Sequence, residues 1–341
     1  MHGASNGRWL AHTRNNQQPT TNNQQPTSET LKIKQSGDNM IDVSPKFNTL
    51  RYAMAKGTLV ARAETIDRVI DRTVPKGDVL EVARAAGINA AKRCADWMVF
   101  CHNLPLDWID LKFEFEEDRI KVFAEAKAIW KTGVEMEALA AVTGALLNMY
   151  DMLKPLDEDL SIGQIKLVKK KGGKSDFRDG FAESLKTAVL VISDSTFAGE
   201  REDKSGKIIQ KFLEDQPVEV AFYEVLPDEQ EQISARLSEL ADREQVDLIF
   251  TTGGTGPGPR DVTPEATRRV IEKEFPGIAE AIRRHGKERT PYAMLSRELS
   301  GTRGQCLIIN LPGSSKGALE SMQALFPGLL HIFPMMRGGG H

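Results

Sequence analysis

At 341 residues the chain has room for about two domains of the usual 100–200 residues, and its 40% apolar content supplies two cores. A formal charge of −3 argues against general nucleic-acid binding, and no run approaches the roughly 18 uninterrupted apolar residues of a membrane span. Cys94, Cys101 and Cys306 form no Cys-x-x-Cys pair and leave an odd count, so no disulfide framework is expected and a reducing cytoplasm fits.

Residues 1–38 carry the hexapeptide NNQQPT twice and almost no apolar periodicity, which predicts a disordered tail. They lack the charged and apolar regions of a secretory signal, and Met40 is a second candidate start. Beyond them, periodicity predicts a helix over 78–89 that stops at Gly87, then strands over 108–115 and 119–129 paired about a turn at 116–118. A helix of about six turns follows over 133–154, ended by Pro155, and a strand over 162–168. The basic, glycine-containing stretch 166–180 marks a domain boundary. The division is then 1–38 tail, 39–175 first domain, 176–185 linker and 186–341 second domain.

From Lys186 onward strands and helices alternate: TAVLVISD, a helix near 204–214, VEVAFYEVLP, a helix over 228–243, VDLIFTT, helices after Thr263 and Gly277, QCLIINLP, and a helix from Ser315. That order predicts a mostly parallel sheet with helices on both faces, a three-layer α/β domain. In such sheets ligands sit beyond the carboxyl ends of the strands. Four loops leave those ends with polar or glycine-rich sequence: at Ser193 and Asp194, at Asp228, from Thr252 to Gly256, and from Asn310 to Ser314.

The segment VDLIFTTGGTGPGPRDVTPEA reads as a buried strand, a glycine loop, an acidic residue and a helix start. Its glycines let backbone approach a ligand, and Thr263 followed by Pro264 resembles an N-cap and first helical residue, an arrangement that favours anions. The loop lacks the Gly-Lys-Ser/Thr ending of a P-loop, which excludes a Walker-type NTPase. Asp228 and Asp261 beside it suit Mg²⁺, which takes a few carboxylate oxygens together with nucleotide phosphates. Taken alone, Asp228 reads better as an N-cap and Asp261 as a turn residue; their shared location at strand ends is what favours the site.

In the first domain His102 is the only histidine between Met40 and Gly180, and Asp151 and Lys154 share a helix face where they can move protons or hold phosphate. Each also has a structural reading, a core histidine and a surface ion pair. Glu135 and Glu137 lie two apart, so a regular helix aims them to different sides.

Taken together, MIDVSPKFNTLRYAMAKG, KGDVLEVARAAGINAAKRC, CHNLPL, KTGVEMEALAAVTGALLNMYDMLK and KKGGKS resemble the MoaC family, the cyclic pyranopterin monophosphate synthases of molybdenum cofactor biosynthesis, over about 40–175. The resemblance implies a ferredoxin-like α+β fold, a hexamer built from dimers, and active sites shared across subunits. The implied reaction converts 3′,8-cyclo-7,8-dihydroguanosine 5′-triphosphate to cyclic pyranopterin monophosphate and diphosphate, with no tightly bound cofactor. Lys76, His102, Asp151 and Lys154 match the family's catalytic neighbourhood. Arg51, Lys171 and Lys174 match its phosphate-binding positions, and Cys101 with Glu135, Met136 and Glu137 match its substrate-binding motifs. Proton transfers in ring rebuilding require pKa values tuned towards neutrality. Asn103 stands where the family usually has Pro, and Ala140 where it usually has Thr.

The second half resembles the MoaB/MogA family of molybdopterin adenylyltransferases through VISDSTFAGEREDKSG, LPDEQ, TTGGTGPGPRDVTPEA, LSREL and NLPGSSKG. This implies a trimeric α/β domain that uses Mg²⁺ and ATP, with Asp228 and Asp261 at the catalytic acidic positions and as the candidate Mg²⁺ ligands. Ser193, Asp194, Thr252, Gly253, Gly254, Thr255, Gly256, Asn310, Pro312, Gly313 and Ser314 match the pterin-phosphate pocket. The expected whole is a bifunctional homo-oligomeric enzyme acting on pterins and nucleotides, free to meet other molybdenum cofactor enzymes but without nucleic-acid or membrane partners. Two alternatives stand beside it: a synthase whose second domain only binds pterin, and a scaffold in which neither site turns over.

Overall fold

A computed structural model describes residues 40–339, so the tail expected at 1–38 lies outside the described residues. Strand β1 (Thr49–Val60) buries Ala53, Ala55 and Leu59; in the hairpin that follows, β2 (Trp108–Glu116) buries Leu111, and β3 (Arg119–Trp130) buries Ile120, Val122, Ala124, Ala126 and Ala128. With β4 (Ser161–Lys171) they form an antiparallel sheet in the order β2-β3-β1-β4. Between β1 and β2 run the helices α1 (Ala63–Ile70), α2 (Val79–Lys92) and the single turn α3 (Cys94–Trp97). Helix α4 (Glu135–Leu153) lies on β1, β3 and β4, and α2 lies on α4. Small side chains on the sheet let α4 approach closely: a Cβ added at Gly57 would meet Leu146 Cδ1 at 2.6 Å.

Three expectations change here. Helix α2 starts where expected, with the Asp78 carboxylate accepting from the amides of Leu80 and Glu81, but it runs through Gly87. That glycine ends nothing; it is where α2 touches α4. A Cβ there would meet Leu111 Cδ2 at 2.5 Å and the Ala141 carbonyl at 2.8 Å. Gly87→Ala gains up to about 1 kcal/mol of helix propensity but overpacks a fixed carbonyl at about 1–3 kcal/mol, so a lowered thermal midpoint is expected, and an unchanged or raised one would contradict this packing. Next, the basic stretch begins inside β4, where Lys166, Lys169, Lys170 and Lys171 ride an edge strand. Finally, β1 itself, the strand that joins the two halves of the sheet, had no sequence signal of its own.

Strands β5 (Leu185–Ile192), β6 (Val218–Leu226), β7 (Leu248–Thr252) and β10 (Cys306–Leu311) are parallel neighbours in the order β6-β5-β7-β10. Two short antiparallel strands, β9 (Ser300–Arg303) and β8 (Lys273–Glu274), extend the far edge, so the sheet is mixed. Their few polar and glycine residues carry no strand pattern. Alternation along the parallel strands feeds two cores. Val189, Phe250 and Ile309 pack with α6 (Ser205–Leu213), which follows the single turn α5 (Asp194–Phe197), and with α9 (Pro276–Lys287) and α10 (Ser315–Leu325) on one face. Leu190, Ile249 and Ile308 pack with α7 (Gln230–Asp242) and α8 (Thr263–Arg268) on the other. Among the described residues, no helix is long and apolar enough to cross a membrane.

Candidate functional site

The carboxyl ends of β5, β6, β7 and β10 face one way, and their loops enclose a cavity of about 410 Å³ lined by Ser193, Asp228, Thr252, Gly253, Gly254, Asp261, Gly313 and Ser314. The strained turn at its floor is made possible by glycine. Gly253 has φ +106°, and a Cβ would sit 2.1 Å from the Ile192 carbonyl; Gly254 has φ +62°, and a Cβ would strike Thr263 Oγ1 at 2.2 Å. A neighbouring strand end locks the loop: Thr252 Oγ1 donates to the Pro312 carbonyl at 2.9 Å, and Gly253 donates its amide to Leu311 at 3.2 Å.

Two aspartates brace each other across the mouth. The Asp194 amide donates to Asp228 Oδ2 and the Asp228 amide donates to Asp194 Oδ1, both at 2.9 Å. Asp194 follows the cap residue Ser193, whose hydroxyl accepts from Thr196, and it also receives Arg260, which spans to Glu229. The Asp228 amide holds Asp194 below the ordinary carboxylate range. Burial, then the negative charges of Asp194 and Asp261, push Asp228 up. Asp261 Oδ2 accepts from the Gly258 amide at 2.8 Å. The segment carrying it is tied back by Arg297, which donates to the carbonyls of Gly256 at 2.8 Å and Asp261 at 2.5 Å.

Some expected residues are placed differently. Thr263 is the first residue of α8, not its cap: its hydroxyl donates to the Gly253 carbonyl at 2.9 Å and its amide to Gly254 at 3.1 Å. It fastens the loop, and a six-residue helix adds little dipole of its own. Asp228 is likewise no cap, because its carboxylate turns to Asp194. Asn310 lies fully buried beneath the cavity, its amide donating to Thr251 and Thr267 at 2.9 Å each, so it supports the floor and does not form the wall. Thr255 is buried against Ser296, and Gly256 packs beside Asp261. Sequence reasoning missed Arg201, Asp203, Lys204 and Ser205, which line the cavity from the start of α6. The polar run REDKSG was their signal, but it lies well past the strand end.

In the first domain the structure joins Lys76, Asp151 and Lys154. Lys76 Nζ donates to the Asp151 carbonyl at 2.7 Å and carboxylate at 3.2 Å, and Lys154 Nζ reaches the same carboxylate at 2.7 Å. All three are exposed. In water such contacts favour both charged forms: Lys154, then Lys76, holds Asp151 below its ordinary range, and Asp151 raises Lys154. For Asp151 and Lys154 both shifts therefore run away from neutrality in the single chain, where the pair is exposed.

His102 lies at the opposite end of α4. Its Nε2 is 2.8 Å from the Ile41 carbonyl, and the adjacent Cys101 Sγ lies 3.8 Å from Glu137 Oε1, in the first turn of that helix. Fourteen residues separate Glu137 from Asp151, about 21 Å at 1.5 Å per residue. Glu137 is buried, whereas Glu135 is half-exposed beside Lys170 and Met136 is exposed. Arg51 is buried, its guanidinium donating to the carbonyls of Trp130 and Lys131 at 3.2 Å each, and burial lowers its pKa. With Lys46 and Lys174 it lines a small recess. Burial, then repulsion from Lys46 and Arg178, pushes Lys174 down, marking a surplus of positive charge. Lys171 stays exposed on β4 opposite Tyr52.

Residues 40–173 match the profile of the MoaC family, and residues 188–331 that of a family described as "probable molybdopterin binding domain". A molybdenum cofactor biosynthesis bifunctional protein of Chlorobaculum tepidum is 40% identical over 302 residues, covering 89% of this chain and 96% of that protein. A cyclic pyranopterin monophosphate synthase of Novosphingobium aromaticivorans is 49% identical over 136 residues, covering 40% of this chain and 87% of its own. A crystal structure of the molybdopterin biosynthesis enzyme MoaB of Thermus thermophilus is 49% identical, covering 45% of this chain and 97% of that one, with a TM-score of 0.44.

Proposed function

The chain belongs to the bifunctional molybdenum cofactor biosynthesis proteins, enzymes with a MoaC-type and a MoaB/MogA-type domain, and from that premise we propose that its two sites catalyse two non-consecutive steps of the synthesis. Residues 39–175 convert 3′,8-cyclo-7,8-dihydroguanosine 5′-triphosphate to cyclic pyranopterin monophosphate and diphosphate. A linker over 176–185 leads to residues 186–341, which adenylylate molybdopterin with ATP. The succession β-α-β-β-α-β supports a ferredoxin-like first domain.

For the synthase, the carrying observation is the separation of its parts. Lys76, Asp151 and Lys154 sit about 21 Å along α4 from the His102 end. One chain does not bring them together, which supports a site completed by a second copy within a hexamer. Closure by that copy desolvates the Asp151–Lys154 pair and moves both groups towards proton exchange. Lys76 and His102 then act as the remaining proton carriers. Arg51 and Lys174, with Lys171, gather the triphosphate, and Glu135 and Met136 face the substrate.

For the second domain, the carrying observation is the cavity at the strand ends, with carboxylates at its mouth and cations Arg201 and Lys204 along one wall. Asp228 and Asp261 line the same cavity and fit a divalent cation: burial first, and then the repulsion of Asp194 and Asp261, pushes Asp228 up, and such an ion relieves that repulsion. Mg²⁺ held there would neutralise phosphate charge. The Gly253–Gly254 backbone, Ser193 and Ser314 orient the pterin phosphate for attack on the α-phosphorus of ATP, while Arg201 and Lys204 steady the departing diphosphate. A trimer of this domain and a cytoplasmic location complete the reading.

The test is to incubate the full-length protein with each substrate set and follow diphosphate and pterin products by mass spectrometry. Absence of cyclic pyranopterin monophosphate would remove the synthase reading, and bound but unmodified molybdopterin would reduce the second domain to a binding module. A pH effect follows from Asp228. Because its pKa is raised, protons compete with the cation above the ordinary carboxylate range. The Mg²⁺ concentration for half-maximal adenylylation should fall as pH rises through that range and climb on acidification; a profile flat in pH counts against Asp228 as the holding group.

A further inference from the structure

The turn α3 and the start of α4 bring together Cys94 and two residues of the substrate-binding motifs, Cys101 and Glu137, whose side chains carry no step of the proposed reactions. Cys94 Sγ, Cys101 Sγ and a Glu137 carboxylate oxygen lie within 4.8 Å of one another, the one such group of three among the described residues. The two sulfurs are 3.8 Å apart, and Cys101 Sγ is 3.8 Å from Glu137 Oε1. Two thiolates bonded to one zinc ion at about 2.3 Å and the tetrahedral angle lie about 3.8 Å apart, so the sulfurs already span a tetrahedral edge. Glu137 is only 3% exposed, and its Oε2 has no hydrogen-bond partner. A buried carboxylate oxygen without a partner is costly unless a cation or donor reaches it. Met98 Sδ, 3.7 Å from Cys94 Sγ, adds a fourth soft atom.

We propose that Cys94, Cys101 and Glu137 bind one thiophilic divalent cation of the Zn²⁺ class. Two thiolates and a carboxylate suit a borderline-soft ion that accepts sulfur and oxygen together, and the Met98 thioether or a water completes the tetrahedron. Loading releases the two thiol protons and leaves a cluster of net charge minus one. Its place in the fold gives it a purpose: it pins the loop carrying His102 to the first turn of α4, making Cys101 and Glu137 positioning residues for His102. The proposal goes beyond the pterin reading, and its readout does not depend on turnover.

The experiment titrates the full-length, reduced protein with Co²⁺ as a spectroscopic stand-in and with Zn²⁺ in competition. A sulfur-to-cobalt charge-transfer band should grow to saturation at a single equivalent per chain and be displaced by Zn²⁺. Cys94→Ser should abolish the band, and Glu137→Gln should weaken Co²⁺ binding by tenfold or more with the protein still folded by circular dichroism. If Cys94→Ser fails to fold, wild-type protein is judged by thiol protection: Zn²⁺ should shield Cys94 and Cys101 from alkylation and a chelator should restore it. Absence of a band in the reduced wild type, a band unchanged in a folded Cys94→Ser, or no Zn²⁺-dependent protection overturns the proposal. So does recovery of the pair as a disulfide in protein that takes up no metal.

Discussion

Lys76→Ala and His102→Ala should each lower formation of cyclic pyranopterin monophosphate by roughly 10²–10⁴-fold, the range for loss of a proton-transfer group, yet an unfolded and refolded mixture of the two should recover activity. The geometry behind this is the long helix α4, which holds the Lys76–Asp151–Lys154 cluster at one end and the Cys101–His102 turn at the other. If one chain supplies the first group and its neighbour the second, random mixing makes about a quarter of the sites intact. Recovery near that fraction supports shared sites. Loss of activity in both variants with no recovery in mixed oligomers of confirmed composition would mean that each site is complete within one chain. Undiminished activity of either variant alone would remove that residue from the reaction.

Asp261→Asn should reduce adenylyl-molybdopterin formation by about 10²–10³-fold, comparable to loss of an electrostatic group at a reacting centre, while pterin binding is retained. The substitution is close to isosteric, and its side-chain oxygen can still accept from the Gly258 amide that now binds Oδ2 at 2.8 Å, so the loop keeps its shape. What is lost is charge at the cavity wall. Mass spectrometry of the product, with molybdopterin binding measured in parallel, separates the outcomes. Wild-type-like turnover would show that Asp261 is only a turn residue, and joint loss of binding and turnover would show that the loop had collapsed.

The cavity was largely legible because its parts follow strand ends directly. Gly253, Gly254, Asp228 and Asp261 each sit within a few residues of an apolar run or in the same loop, and the order of strands fixes where such loops meet. Arg201 and Lys204 were not legible, since their side chains reach the site from sequence that has no periodic signal of its own. Thr263 was recognised as important but assigned the wrong bond. A cap and a loop fastener look alike in sequence, and only the placement of its hydroxyl on the Gly253 carbonyl separates them. In the first domain β1 was missed because alternating alanines and polar residues give a weak strand pattern, although the covered sheet face needs small side chains there. The approach of Cys94 to Cys101 depends on how a single helical turn packs against α4, and a spacing of seven matches no familiar ligand pattern.

The lysines of β4 have a further consequence. An outer strand exposes unpaired amides and carbonyls that another chain's strand can zip onto, and repeated positive charge is a common guard against such addition. Lys166, Lys169, Lys170 and Lys171 line that border of the sheet. Charge-removing variants made to probe phosphate binding will also unguard it, so lower activity accompanied by rising light scattering reports aggregation rather than lost chemistry.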